Sequence, residues 1–404
     1  MSCFPSHLVV VAANYPSPAQ PACGTFVREF AHAVARQGGR CTVIHPVAFH
    51  RAWREKGHPF HSQEEDGGGN RVDVFRPRFL SLSTREIFAR LGPLNPSRFT
   101  LSRFAGAVRR ILRTQRIHPD VLYGHFFFPA GVAAMRIGRE MGLPAFPGMG
   151  ESVKEGKVIW TLRSYGLCAS KKAVSQAPGV IVNSSLLGRM VARQLSVPEV
   201  RIGVFPNGID RSRFYPREKK TMRKELGLPL DGFLVGCTGH FSDRKGQLRV
   251  LEAIRTLDSV RGVFIGGGLS LSPEVPVAFN QEVAHEQVPR LLSACDVFVL
   301  PTLEEGSCNA ILEAMACGLP IISSTGEFND DLLDESMSIR VDPMDVSAIR
   351  QAIVKLRDDP SLRVGMAAAA HRHSLRFDIH DRVRRMLAFM SKQSMGTANV
   401  EVSE

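Results

Sequence analysis

Two α/β domains in tandem, each built on a doubly wound parallel sheet of the Rossmann type with a cleft between them, are the architecture this sequence predicts. Three observations lead there. Short apolar runs alternate with helix-period segments along nearly the whole chain, the pattern of βαβ units. The length, 404 residues, exceeds one ordinary core and suits two of roughly 200 residues each. The composition, 44% hydrophobic and 22% charged, is that of a globular chain with enough apolar residues to fill both.

In order, Leu8 to Ala12 reads as the first strand, Phe26 to Gln37 as a helix and Thr42 to His45 as the second strand. Val121 to Tyr123, Ala145 to Phe146 and Val180 to Asn183 follow as strands of the same half. In the second half the strands are Ile202 to Phe205, Phe233 to Cys237, Val263 to Ile265, Val277 to Phe279, Val297 to Leu300 and Pro320 to Ser323. A helix begins near Asn309 and runs through Cys317, where Gly318 and Pro320 stop it. The boundaries expected are 1–199 for the first domain, 200–375 for the second, 376–392 for a helix returning to the first domain, and 393–404 for a flexible tail. That last helix would carry Ile379, Val383, Met386, Leu387 and Met390 on one face. Gly266-Gly267-Gly268 follows a strand but lacks dinucleotide-fingerprint spacing, and Pro273 and Pro276 forbid a following helix, so it reads as a turn. Ser62 to Asn70 reads as a polar, Gly-rich loop.

Eight cysteines are scattered without a C-x-x-C pair and read as reduced thiols in the core, excluding a zinc site or disulfide frame. The apolar run Leu8 to Ala13 is too short to span a bilayer and lacks a secretory flank, so a cytoplasmic location is expected. The formal net charge of +12 is uneven. Between residues 71 and 116 eleven arginines face only Asp73 and Glu86, interleaved with Phe75, Phe79, Leu80, Leu82, Ile87, Phe88, Leu91, Phe99, Leu101 and Phe104. That composition suits docking on an anionic membrane surface, weighed against nucleic acid and against a plain solvated basic face.

The chemistry is concentrated in Pro301 to Ser323, PTLEEGSCNAILEAMACGLPIIS, where Glu305 and Glu313 stand eight residues apart across a turn into a helix. Gly306 and the amides of Ser307, Cys308, Asn309 and Ala310 would form a helix N-terminus suited to a diphosphate. Glu313 can accept hydrogen bonds from ribose hydroxyls and Glu305 from a neighbouring sugar. Seen alone, such a pair more often merely complements a helix dipole. The segment, however, resembles the E-x7-E signature of retaining glycosyltransferases of family 4, with Thr302 for the usual Ser. Val204 to Pro216, VFPNGIDRSRFYP, resembles that family's Pro-Asn-Gly segment, and Gly239 to Gly246, GHFSDRKG, its loop presenting an Arg and a Lys to the donor diphosphate. Lys245 and Gly246 match there, while His240 stands where Arg is usual. Either Arg244 supplies that charge, or His240 donates a single hydrogen bond, or donor affinity is reduced. Tyr15 to Val27 resembles the family's glycine loop, most like transferases of bacterial surface-polysaccharide assembly, with Gly24 letting backbone pass close to sugar and phosphate.

What the resemblance implies is the B-type glycosyltransferase fold, with donor bound by the second domain and acceptor by the first. It implies transfer from a nucleoside-diphosphate sugar to a hydroxyl of a glycan acceptor, lipid-linked, with retention, in exopolysaccharide, capsule or O-antigen synthesis. Lys245, Arg244 and Glu305 would be catalytic; Gly24, Gly239, His240, Gly306, Ser307, Cys308, Asn309, Ala310 and Glu313 would bind donor. No bound cofactor, no metal and no nucleic acid are expected, and the location would be the inner face of the cell membrane. On the acceptor side His125 matches a frequent family His, with a structural role equally open, and Gly150-Glu151 replaces a usual His-Gly turn, so that Glu151 either takes over part of that role or function is impaired. A sugar-nucleotide epimerase of the same fold and a non-catalytic scaffold derived from a transferase are the alternatives. Base, sugar, linkage and oligomeric state are not legible.

Overall fold

The computed structural model describes residues 5–18, 20–21, 23–54, 59–66, 68–82, 95–152, 159–268 and 276–401. The chain divides into two compact units, 1–205 with 379–404, and 206–378.

The first unit contains β1 (His7–Ala12), β2 (Arg40–Ile44), β3 (Val47–Ala48), β4 (His61–Glu65), β5 (Arg71–Phe75), β6 (Arg78–Phe79), β7 (Val121–His125), β8 (Ala145–Met149), β9 (Val180–Val182) and β10 (Ile202–Val204). Eight of them form one sheet in the order β10-β9-β8-β7-β1-β2-β5-β4, parallel except for β4, while β3 and β6 pair separately. β1 is wholly buried, as its unbroken apolar run requires when helices cover both faces of a parallel sheet. The strand order reverses between β1 and β7, which is where doubly wound sheets open a crevice at their carboxyl ends.

The second unit holds β11 (Phe233–Thr238), β12 (Val260–Ile265), β13 (Val277–Gln281), β14 (Val297–Leu300), β15 (Ile321–Ser324) and β16 (Ser338–Val341). Its sheet is all parallel in the order β13-β12-β11-β14-β15-β16, with the switch point between β11 and β14. The last helix, Ile379–Glu401, belongs to the first unit. Ile379, Val383, Met386, Leu387 and Met390 are buried in the same cluster as Leu8, Val10 and Phe30. At about 1.5–3 kcal/mol for each fully buried aliphatic side chain, that face alone anchors the helix.

Several expectations are corrected. Ile202–Val204 is not the opening strand of the second domain: it pairs in parallel with β9, Ile202 opposite Val180, so the first unit extends to Phe205 instead of 199. The returning helix continues to Glu401, well into the stretch expected as a tail from 393. His61–Glu65, within the supposed loop, is an edge strand whose alternating exposed and half-buried polar residues carry no hydrophobic signature. β5 and β16 were also missed, β5 because its arginine-rich flanks mask a buried Val72, Val74 and Phe75.

The arginine-rich segment does not form one surface. Phe75, Phe79, Leu101 and Phe104 are core residues, and Arg76 is 3% exposed, donating to Ser62 Oγ at 2.7 Å. Arg85, Glu86, Ile87, Phe88, Arg90 and Leu91 lie outside the described residues.

Candidate active site

The carboxyl ends of β11 and β14 each release a loop, and these two loops are knitted together. Leu303 N–H donates to the Arg244 carbonyl at 2.8 Å, and Arg249 Nη2 donates to the Pro301 carbonyl at 3.1 Å. Gly246 makes this approach possible: its φ is +80°, and a Cβ there would lie 2.6 Å from the Pro301 oxygen. The nearly fully buried Gln247 braces the first loop from inside, accepting from Ser242 N–H at 3.1 Å and donating to the His240 carbonyl at 3.4 Å.

The knitted loops bring two cations to one carboxylate. Glu305 is 7% exposed; its Oε1 accepts from Lys245 Nζ, from Arg244 Nη1 at 3.2 Å and from the buried Thr302 hydroxyl at 3.0 Å. Arg244 also donates to the Glu304 carbonyl at 2.8 Å, so this arginine is turned inward toward the second loop. Burial pulls the Lys245 ammonium down, yet the charge and hydrogen bond of the Glu305 carboxylate hold its pKa above the ordinary value. The trio carries a net positive charge at the switch point, the location at which such sheets bind ligands.

Ser307 to Asn309 leads into the helix Asn309–Ala316, which Gly318 at φ +76° follows. Cys308 is buried, and desolvation together with Glu305 pushes its thiol up to about 11, leaving it protonated and inert. The entrance to this helix is held from the Pro-Asn-Gly segment. Asn207 N–H donates to Ser307 Oγ at 2.9 Å, while its amide donates to the Ser307 carbonyl at 3.0 Å and to Asn309 Oδ1 at 2.8 Å. The sequence offered Asn207 only as part of a Pro-Asn-Gly segment, with no partner named; its clamp spans a hundred positions.

Glu313 sits one turn into the helix with a side chain 9% exposed, and its Oε1 contacts His285 Nε2 at 2.8 Å. His285 was not anticipated: it lies in the short turn after β13, and no local pattern marks it. Gly239 and the exposed His240 rest on the triple glycine, which is more than a turn. Gly239 N–H donates to the Ile265 carbonyl at 2.9 Å and Phe241 N–H to Gly267 at 2.7 Å. A Cβ on Gly266 would fall 2.0 Å from the Gly239 oxygen, and one on Gly268 2.4 Å from the Phe241 oxygen. Those glycines are demanded by the neighbouring loop.

The remaining expected residues lie in the first unit, around the ends of β1, β7 and β8. Gly24 has φ +77°, and a Cβ would stand 2.8 Å from both the Asn14 carbonyl carbon and Tyr15 nitrogen, so glycine is required there by the packing of its own loop. The loop is held by Glu64 from the overlooked strand β4, which accepts from Tyr15 Oη at 3.1 Å and from Arg28 Nε at 3.0 Å. His125 ends β7 with its ring packed among Phe26, Tyr123 and Phe126 at 5.2, 5.6 and 4.9 Å between centroids. Its Nδ1 is buried without a hydrogen-bond partner, and burial, aided by the Arg382 charge, pushes its pKa down to about 3, so the ring is neutral. Phe126 next to it has φ +69°, a conformation costing a non-glycine residue about 1–3 kcal/mol and found preferentially at functional sites. Glu151 turns inward: 5% exposed, it accepts from Gly150 N–H at 2.9 Å, Thr161 Oγ1 at 3.2 Å and Phe127 N–H at 3.4 Å, and burial raises its pKa. It braces the turns beside His125.

Among the described residues, no helix is long and apolar enough to cross a membrane, and no group of three or more His, Cys, Asp or Glu side chains is arranged to hold a metal ion.

Comparison with known proteins agrees with this fold. Residues 23–213 match the family model described as Glycosyltransferase Family 4, and residues 232–359 the one described as Glycosyl transferases group 1. TuaC of Bacillus subtilis strain 168, a protein whose name assigns it to teichuronic acid biosynthesis as a glycosyltransferase, is 30% identical over 361 residues, covering 85% of this chain and 87% of TuaC. An Escherichia coli UDP-Gal:alpha-D-GlcNAc-diphosphoundecaprenol alpha-1,3-galactosyltransferase is 31% identical over 191 residues, 43% of this chain and 49% of that protein. In fold, Anabaena Alr3699/HepE, solved in complex with UDP, superposes with a TM-score of 0.69 at 17% identity, covering 96% of this chain and all of that one. Two tandem parallel-sheet units, a switch-point cluster of Lys245, Arg244 and Glu305, and a relative alike over most of its length lead to one assignment: the chain belongs to the group 1 and family 4 glycosyltransferases.

Proposed function

We propose that this glycosyltransferase moves a sugar from a nucleoside-diphosphate sugar to a hydroxyl of a lipid-linked glycan acceptor, with retention at the anomeric carbon, in surface-polysaccharide synthesis at the cytoplasmic face of the membrane. The observation that carries the donor half is the convergence of Lys245 and Arg244 on Glu305 beside the N-terminus of the helix from Asn309. A diphosphate entering there meets two cations already held in place, so little reorganisation accompanies the build-up of charge on the leaving group. The bond between anomeric carbon and diphosphate breaks, the acceptor oxygen forms the new bond, and the proton it sheds leaves with the diphosphate. Gly306 and the amides of Ser307, Cys308, Asn309 and Ala310 face the diphosphate, Glu313 the ribose, Glu305 the donor sugar, and Gly239 and His240 border the same pocket. With these charges supplied by the chain, the reaction is metal-independent. His125, neutral and next to the strained Phe126, faces the acceptor with the Gly150 turn that Glu151 braces.

Support for the lipid-linked acceptor comes from the relative named for a diphosphoundecaprenol substrate, and support for the polysaccharide setting from the teichuronic acid biosynthesis in TuaC's name. Membrane docking is supported by exposed Leu80, Leu82 and Phe99 near exposed Arg98, Arg103 and Arg110, Arg103 lying 5.1 Å over the Phe99 ring. The experiment is incubation of the purified protein with UDP-, GDP-, ADP- and dTDP-sugars and bacterial lipid extract, with and without EDTA, followed by NMR of the product anomer. Transfer that survives EDTA with the donor's anomeric configuration is expected; donor rearranged or hydrolysed with no glycolipid formed would overturn the reading. Sedimentation with phosphatidylglycerol vesicles, unchanged in R98E/R103E/R110E, would remove the docking surface.

A further inference from the structure

His285 stands between two groups that dictate its chemistry. Arg213 Nη2 lies 3.3 Å from His285 Nδ1, and Glu313 Oε1 lies 2.8 Å from His285 Nε2. A guanidinium only donates and an ionised carboxylate only accepts, so Nδ1 must accept, Nε2 must carry the proton, and the ring is neutral. The ring is further confined by Phe214 at 5.3 Å, and Arg213 is steadied by Glu286 at 3.8 Å. The chain Arg213 to His285 to Glu313 therefore commits one carboxylate oxygen of Glu313 and fixes the direction of the other. Glu313 and His285 are 9% and 20% exposed at the side chain, so the arrangement is largely shielded from competing water.

Resting on the donor reading above, we propose that His285 is a positioning residue for ribose recognition: it holds Glu313 so that its second oxygen is presented to the ribose 2′-hydroxyl, and thereby sets discrimination between ribo- and deoxyribonucleotide donors. A carboxylate free to turn would lose that preference, whereas a locked one accepts a single well-aimed hydrogen bond, the type whose loss costs most when the acceptor is charged and shielded.

The test is calorimetric binding of UDP, GDP and ADP, each beside its 2′-deoxy counterpart, to wild type and to His285→Ala, His285→Gln and Glu313→Ala. Wild type is expected to prefer one ribonucleotide over its deoxy form by about tenfold, the equivalent of one charge-assisted hydrogen bond at the low end of its range. In His285→Ala the ribo form weakens by about tenfold and the preference falls to near unity, while His285→Gln, whose amide can still donate to Glu313, recovers most of it. His285→Asn, too short to reach Glu313, serves as the second loss variant if the alanine protein does not fold. Equal weakening of ribo and deoxy forms would mean a merely structural role and overturn the proposal, as would an unchanged preference in both loss variants. Binding of dTDP, measured alongside, in preference to all three ribonucleotides would also overturn the proposal, whereas if Glu313→Ala keeps the wild-type preference, or wild type binds none of UDP, GDP, ADP and dTDP, the donor reading itself fails, which the histidine variants alone would not reveal.

Discussion

Lys245→Ala separates the contribution of the cation cluster to catalysis from its contribution to folding. In the wild type, the Lys245 and Glu305 side chains are 13% and 9% exposed. Removing one member of a buried pair ordinarily costs about 3–5 kcal/mol because the other is orphaned. Here Glu305 is not orphaned: Arg244 at 3.2 Å and the Thr302 hydroxyl at 3.0 Å remain on the same oxygen. The stability loss should therefore stay near 1 kcal/mol, a fall of roughly 2–4 °C in the melting temperature of a domain this size. The diphosphate suffers more, because it loses a charge-assisted contact of about 1.5–3 kcal/mol, or about 10- to 150-fold in kcat/KM. The assay is steady-state transfer from the best donor in the panel, with thermal unfolding of the same preparations. Activity within about threefold of wild type in a folded variant would refute the role given to Lys245, whereas a melting temperature lower by more than about 10 °C would refute the view that Arg244 and Thr302 satisfy Glu305.

Asn207→Ala removes the two side-chain hydrogen bonds that hold the entrance of the helix from Asn309, at about 1 kcal/mol each, and leaves the backbone N–H on Ser307 Oγ; nucleotide affinity should fall in calorimetry together with the melting temperature, and unchanged affinity would show that the clamp does not shape the loop at Ser307. His125 protonates more readily in the unfolded chain, near 6.5, than in the folded one, near 3, so stability declines as pH falls through that window, with a slope of about 1.4 kcal/mol per pH unit; urea unfolding at pH 7 and pH 5 should show this slope reduced in His125→Gln. With its thiol pushed up to about 11, Cys308 should resist iodoacetamide at pH 8 under conditions that label the exposed Cys168, as mass spectrometry would read; rapid labelling of Cys308 would contradict its burial.

The parts of the site legible in the sequence are those whose partners are close along the chain or carry a chemical signature of their own. Arg244 and Lys245 are adjacent, and Glu305 and Glu313 flank one turn into one helix, so local spacing announced them together. His285 could not be found that way, because its significance is its contact with Glu313, 28 positions on, and with Arg213, 72 positions before. Glu64 was hidden for a different reason: an edge strand of polar residues has no apolar alternation to read, yet its carboxylate holds Tyr15 and Arg28 around the glycine loop.

By itself the sequence determined the fold class, because alternating buried strands and amphipathic helices are periodic properties of the chain, and it determined the positions of the charges in the loops after β11 and β14. Tertiary structure alone decided what those groups touch. Gly266 and Gly268 became a platform for Gly239 and His240, Ile202–Val204 joined the first sheet instead of opening the second, and Phe75, Phe79 and Phe104 among the arginines went into the core while Phe99 stayed exposed. Each of these outcomes depends on which backbone or side chain arrives from far along the chain at less than about 4 Å, and packing at that range is a property of the assembled sheets.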